Sequence, residues 1–199
     1  MAVDTKSQVS HRRSRTENEE ILIRSAIELL SSHKFKEVTA RKVAAHANMD
    51  PKIIRRLFGS YEGLLIATYH HLRVKGGVAL TKNLATFKSS KKSRSNGVDL
   101  KTRLAAWLIS IGTPPDKFFF GDKDMEFEIS VWESVFSERI SERTKKAFVS
   151  LAYTSSTGVT IFGPLVEGLN PEISEDAFSL LTYLVKNLEK IQTELDMAD

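Results

Sequence analysis

Apolar positions recur at three- and four-residue spacing along most of the chain, which predicts helices throughout and an all-α fold. Leu22, Ala26, Leu29 and Leu30 form the inward stripe of a first helix ending at Ser32, with Thr16 and Glu19 as a capping box at its start. Phe35 and Val38 close the small core that this helix needs. Thr39 is a good N-cap for a second, short helix, in which Val43, Ala44 and Ala47 share one face while Arg41 and Lys42 turn outward. The pattern breaks at Ala47-Asn48-Met49, where Asn48 can take the left-handed backbone that a sharp turn requires. Asp50 supplies an N-cap oxygen directly before Pro51, and proline suits the first helical position because its missing N–H would have had no partner there. In this third helix Ile54 and Phe58 repeat at i and i+4 and face inward. That leaves Lys52, Arg55 and Arg56 exposed, with Pro51 and Ile53 near the leading end.

After Ser60 the chain reads as a further helix stopped by Gly76-Gly77, then a helix from Val78 to about Phe87 and a Ser/Lys-rich loop. His70 and His71 are adjacent, so they cannot form an i, i+4 metal pair and read as ordinary helix residues. Asp99 to Ile111 carries Leu100, Leu104, Trp107, Leu108 and Ile111 on one side and is stopped by Gly112. The acidic run at 122–128 lacks the glycine and terminal glutamate of a calcium loop and reads as a helix start favoured by the macrodipole. That helix continues through Ile129, Trp132, Val135 and Phe136, and another begins near Ser141. A last helix runs from Ser174 towards Leu195 with a broad apolar face of Phe178, Leu181, Leu184, Val185, Leu188 and Ile191.

Two short helices joined by a tight turn, the second with a cationic outer face, make a helix-turn-helix, in which the second helix enters the DNA major groove. A solvated helical hairpin is the plain alternative. The run from Ile21 to Leu65 resembles the N-terminal domain of the TetR family of transcriptional regulators. The resemblance is carried by Ile21-Leu22, Thr39 and Arg41, Ala47-Asn48-Met49-Asp50, then Phe58, Ser60, Glu62 and Leu64. It implies a homodimeric, ligand-responsive regulator, most often a repressor. Phosphate contacts would come from Thr39, Arg55 and Tyr61, and base contacts from Arg41, Pro51, Lys52, Ile53 and Arg56. The chain departs from the family pattern at four positions: Asn48 replaces the turn glycine, Lys34 the glycine ending the first helix, Arg55 a tyrosine and Tyr61 a lysine. A left-handed Lys34 would cost about 1 kcal/mol.

Charge sharpens this picture. Residues 1–100 hold 19 Lys+Arg against 9 Asp+Glu, a net +10, while residues 101–199 hold 10 against 16, a net −6. A basic half joined to an acidic half suits a polyanion-binding module coupled to one that stays off the polyanion. The expected organisation is a disordered basic arm at 1–15, a helix-turn-helix domain at 16–60, and a larger helical ligand-binding and dimerisation domain at 61–199. A composition of 41% hydrophobic and 27% charged residues is that of a globular protein. The absence of cysteine excludes disulfides and thiolate metal sites, no apolar run reaches membrane-spanning length, and the expected location is the cytoplasm. No phosphate loop, zinc-protease motif or nucleophile elbow supports an enzyme, and no cofactor is implied.

Both tryptophans and a run of phenylalanines fall between the DNA-binding domain and the last helix. Trp107, Phe118, Phe119, Phe120, Phe127, Trp132 and Phe136 are the candidate walls of a pocket for a small apolar or aromatic effector, with plain core packing as the alternative. The expected partners are therefore a double-stranded DNA operator, a second copy of the chain through the C-terminal helices, and such an effector, with no membrane. A helical interaction module or small-molecule carrier that does not bind DNA is the competing function.

Overall fold

The computed structural model describes residues 14–84, 96–117, 122–133, 136–169, 183–184 and 186–197. Among them the chain is all-α, with eight helices and no strand. The helices are α1 (Arg15–Ser32), α2 (Ala40–His46), α3 (Lys52–Phe58), α4 (Tyr61–Leu84), α5 (Asn96–Ser110), α6 (Asp122–Trp132), α7 (Glu142–Leu169) and α8 (Leu188–Asp196). The chain divides into two compact units, Met1–Thr68 and Tyr69–Asp199. The first reaches past Ser60 into α4 because Leu64, Leu65 and Thr68 are buried.

In the first unit α1 packs on α2 and α3, and α2 packs on α3. Leu22, Ala26 and Leu30 supply the α1 stripe, and Val38, Val43, Ala44, Ala47 and Ile54 complete the core, with Leu29 and Phe58 half-buried. The cap of α1 lies earlier than the sequence suggests. Ser14 and Glu17 form the capping box, the Glu17 N–H donating to Ser14 Oγ at 3.1 Å and the Ser14 N–H to the Glu17 carboxylate at 2.6 Å. Ser-x-x-Glu and Thr-x-x-Glu overlap here, and the earlier start places Arg15 in the helix. There it pairs with Glu19 at 2.8 Å and donates to the Leu57 carbonyl at 3.5 Å. The arm expected at 1–15 otherwise lies outside the described residues.

The second unit corrects three boundaries. First, α4 does not stop at Gly76-Gly77 but runs through it. A Cβ on Gly77 would sit 2.9 Å from Phe127 Cζ and 3.1 Å from Val131 Cγ2, so this glycine serves a close approach of α4 to α6. Second, α5 ends at Ser110 with Gly112 at φ 87°. The Gly112 N–H donates to the Ile109 carbonyl and the Thr113 N–H to the Leu108 carbonyl, each at 3.0 Å, which is a Schellman cap. Ile111 lies beyond the helix and is 50% exposed rather than inward. Third, α6 stops at Trp132, so Phe136 is not helical, while Val135 lies outside the described residues.

α5 and α6 both pack on α7, whose start is capped by Ser141, with Oγ accepting from the Thr144 N–H at 3.2 Å. The core here joins Ile129, Ile140, Phe148, Val149, Ala152 and Leu188. Of the broad face expected on the last helix, Phe178, Leu181 and Val185 lie outside the described residues. Leu188 is buried in the unit's own core, and Asn187 (φ −112°, ψ 15°) precedes α8.

Candidate nucleic-acid interface

The turn between α2 and α3 is specified residue by residue. Asn48 stands at φ 53°, its N–H donating to the Ala45 carbonyl at 3.0 Å and the Met49 N–H to the Ala44 carbonyl at 2.9 Å. These are the two bonds of a Schellman cap, made with asparagine in the left-handed position. Asp50 Oδ1 then accepts from the Lys52 N–H at 2.7 Å, and Pro51 already has helical geometry at φ −55°, ψ −27°. The chain therefore leaves one helix and enters the next with its end groups partnered.

Around this turn Thr39, Arg41, Lys42, Pro51, Lys52, Arg55 and Arg56 are exposed and Ile53 is half-buried. Among the described residues none of Arg41, Lys42, Lys52, Arg55 and Arg56 takes part in an ion pair. Five cations on α2 and α3 thus stand without an ion-pair partner among the described residues. Met49, Asp50, Lys52, Ile53 and Arg56 line one open depression of about 300 Å³, in keeping with the i, i+3 and i, i+4 spacing of Ile53 and Lys52 from Arg56.

Lys34 and Tyr61 are two of the four positions that depart from the family pattern. Lys34 is extended at φ −65°, ψ 136°, so its departure from glycine carries no left-handed cost. Tyr61, part-buried, donates its hydroxyl hydrogen to the Val38 carbonyl at 2.8 Å, and burial pushes its pKa up to about 12. A phenol has one hydrogen, and here it is committed to the protein. Thr39, next to Val38, is the N-cap of α2. Its Oγ1 accepts from the Lys42 N–H at 3.3 Å, and a hydroxyl that accepts in this way still has its own hydrogen to donate.

The expected pocket wall is only partly described. Phe118, Phe119 and Phe120 lie outside the described residues. Trp132 and Phe136 both meet the Phe148 ring edge to face, at 5.3 Å and 81° and at 5.7 Å and 90°, as partners of the hydrophobic core. Phe127 lies against Gly77 and under the Arg73 guanidinium at 4.9 Å, and Trp107 is half-buried on α5.

Sequence reasoning missed a polar group inside this second unit. Tyr69 and Tyr153 share a hydroxyl–hydroxyl hydrogen bond at 2.9 Å, and Arg73, 5% exposed, pairs with Glu128 at 3.3 Å. Lys101 Nζ stands 4.9 Å over the Tyr153 ring, and burial draws its pKa down, with Glu128 opposing and Arg73 assisting. Arg73 falls in phase with the buried positions Leu65 and Tyr69, and a cation on an inward stripe was the one signal available. Among the described residues no group of His, Asp and Glu is arranged to hold a metal ion, and no helix is long and apolar enough to cross a membrane.

No protein-family model matches the chain, and no curated protein matches it. Among solved structures the chain is similar to a protein from Shewanella sp. PV-4 provisionally assigned as a TetR-family transcription regulator. The two are 12% identical, the match covers 85% of this chain and 96% of that one, and the TM-score is 0.41.

Proposed function

We propose that the protein is a DNA-binding transcriptional regulator that places α3 in the major groove of a duplex operator and acts as a homodimeric repressor. The observation that carries the reading is the capped turn at Asn48–Asp50 presenting α3 with Lys52 and Arg56 exposed and half-buried Ile53 beside them in one depression, flanked by further cations without ion-pair partners. In this reading Thr39 and Arg55 contact phosphates, with Tyr61 at the same edge. Arg41, Pro51, Lys52, Ile53 and Arg56 reach base edges, the cations suited to guanine O6 and N7 and the apolar pair to a thymine methyl. The net +10 of residues 1–100 supports attraction to a polyanion.

A single helix-turn-helix covers one half-site, so the reading includes a second copy, joined through the C-terminal helices. An apolar or aromatic effector held by the second unit completes it, a reading supported by the aromatic residues Trp107, Phe118, Phe119, Phe120, Phe127, Trp132 and Phe136. The direct test is an electrophoretic mobility assay with the DNA flanking the protein's own gene. A retarded band that weakens with salt is expected. No band at low salt, with folded protein, removes the reading in favour of a helical module that does not bind DNA.

A further inference from the structure

Tyr61 is the first residue of α4, and its hydroxyl reaches back across the first unit to the carbonyl of Val38. Val38 is buried and sits just ahead of α2, the Lys42 N–H donating to Thr39 Oγ1 instead of back to Val38. A carbonyl so placed needs a donor from elsewhere, and the Tyr61 phenol is the donor it has. The next residue along is Thr39, exposed and the N-cap of α2. The start of α4 is fixed in turn, Ser60 Oγ accepting from the Gly63 N–H at 2.9 Å.

Building on the DNA-binding reading, we infer that Tyr61 is a positioning residue for the phosphate edge of the interface: it anchors Val38 so that Thr39 keeps its hydroxyl directed at the duplex, and it does not donate to phosphate itself. A phenol is protonated near neutral pH, and burial raises this one further, to about 12, so the donor is in place where DNA is bound.

Two readouts separate this role from a direct contact and from general destabilisation. The first is amide hydrogen exchange of the free protein. Tyr61→Phe removes one oxygen and keeps the ring that fills the space. It should speed exchange at Lys42, whose N–H is bonded to Thr39 Oγ1, while amides in the middle of α1 and at Ile54 keep wild-type protection. The second is a double-mutant cycle on a labelled mixed-sequence duplex, where non-specific binding is dominated by phosphate contacts. Tyr61→Phe should weaken binding roughly three- to ten-fold, the effect of one net hydrogen bond. In the Thr39→Ala background the same change should cost less than about two-fold, because the residue it positions is gone.

Equal loss in both backgrounds, with Lys42 exchange unchanged, would make Tyr61 a direct phosphate donor and overturn the inference. A uniform rise in exchange over the whole unit would reduce Tyr61 to a general stabilising residue and overturn it as well. Failure of the wild-type protein to bind the duplex at low salt is a distinct result. It removes the DNA reading, while the exchange at Lys42 still decides whether Tyr61 fixes the Thr39 cap.

Discussion

Asn48 holds a left-handed backbone at φ 53°, a geometry that costs most residues about 1–2 kcal/mol and asparagine less. Asn48→Ala should therefore lower stability by about 1 kcal/mol, and Asn48→Gly should match or exceed the wild type. Thermal unfolding of the two variants decides, and equal losses would mean that the asparagine side chain matters more than its backbone. Lys101 offers a second test, set by charge. Its folded pKa lies below the ordinary 10.5, chiefly because burial penalises the ammonium, so the unfolded chain binds the proton more tightly and stability rises with pH up to about that value. Lys101→Met should raise the melting temperature at neutral pH, with a gain that shrinks as pH approaches 10.5. A pH-independent gain would assign the effect to packing. The two residues also differ in legibility. Asn48 is readable because a left-handed turn has a short residue menu, whereas Lys101 draws its environment from Tyr153 and Glu128, far away in sequence and invisible to local pattern.

At the scale of elements, α3 depends on its cap. Removing the Asp50 carboxylate by Asp50→Ala unpairs the Lys52 N–H and should cost about 0.5–2 kcal/mol in chemical denaturation. The start of α3 was legible because Asp-Pro states a helix start twice, once through the cap and once through the fixed proline φ. The Gly76-Gly77 pair shows the opposite. Local rules read it as a helix stop, yet α4 continues through it because Gly77 lets Phe127 and Val131 approach the backbone. Gly77→Val should accordingly destabilise the second unit by about 1–3 kcal/mol through overpacking, even though valine has the better helix propensity. A neutral or stabilising effect in calorimetry would argue against that close contact. The α1 cap was misplaced by two residues for a related reason. Two overlapping capping boxes fit the sequence equally, and the ion pair of Arg15 with Glu19 favours the earlier one.

At the scale of the whole molecule the chain joins a basic half to an acidic half, and the proposed function requires two copies. Light scattering after size exclusion should give twice 22.4 kDa, and Leu184→Glu, on the stretch leading into α8, should shift the protein towards monomer. The all-α architecture was legible because apolar periodicity and turn chemistry agree along the chain. The effector region was less so, since aromatics at helical spacing look alike whether they line a cavity or, like Trp132 and Phe136 on Phe148, pack a core. Whether α3 reads duplex DNA is decided by titrating a labelled duplex bearing the flanking DNA of the gene, against a scrambled duplex, over a range of salt. Arg56→Ala should lose about 1–3 kcal/mol on the gene-flanking duplex and little on the scrambled one. Arg55→Ala should weaken both alike and reduce the salt slope by about 0.9. If both variants bind both duplexes as the wild type does, α3 is not the reading helix.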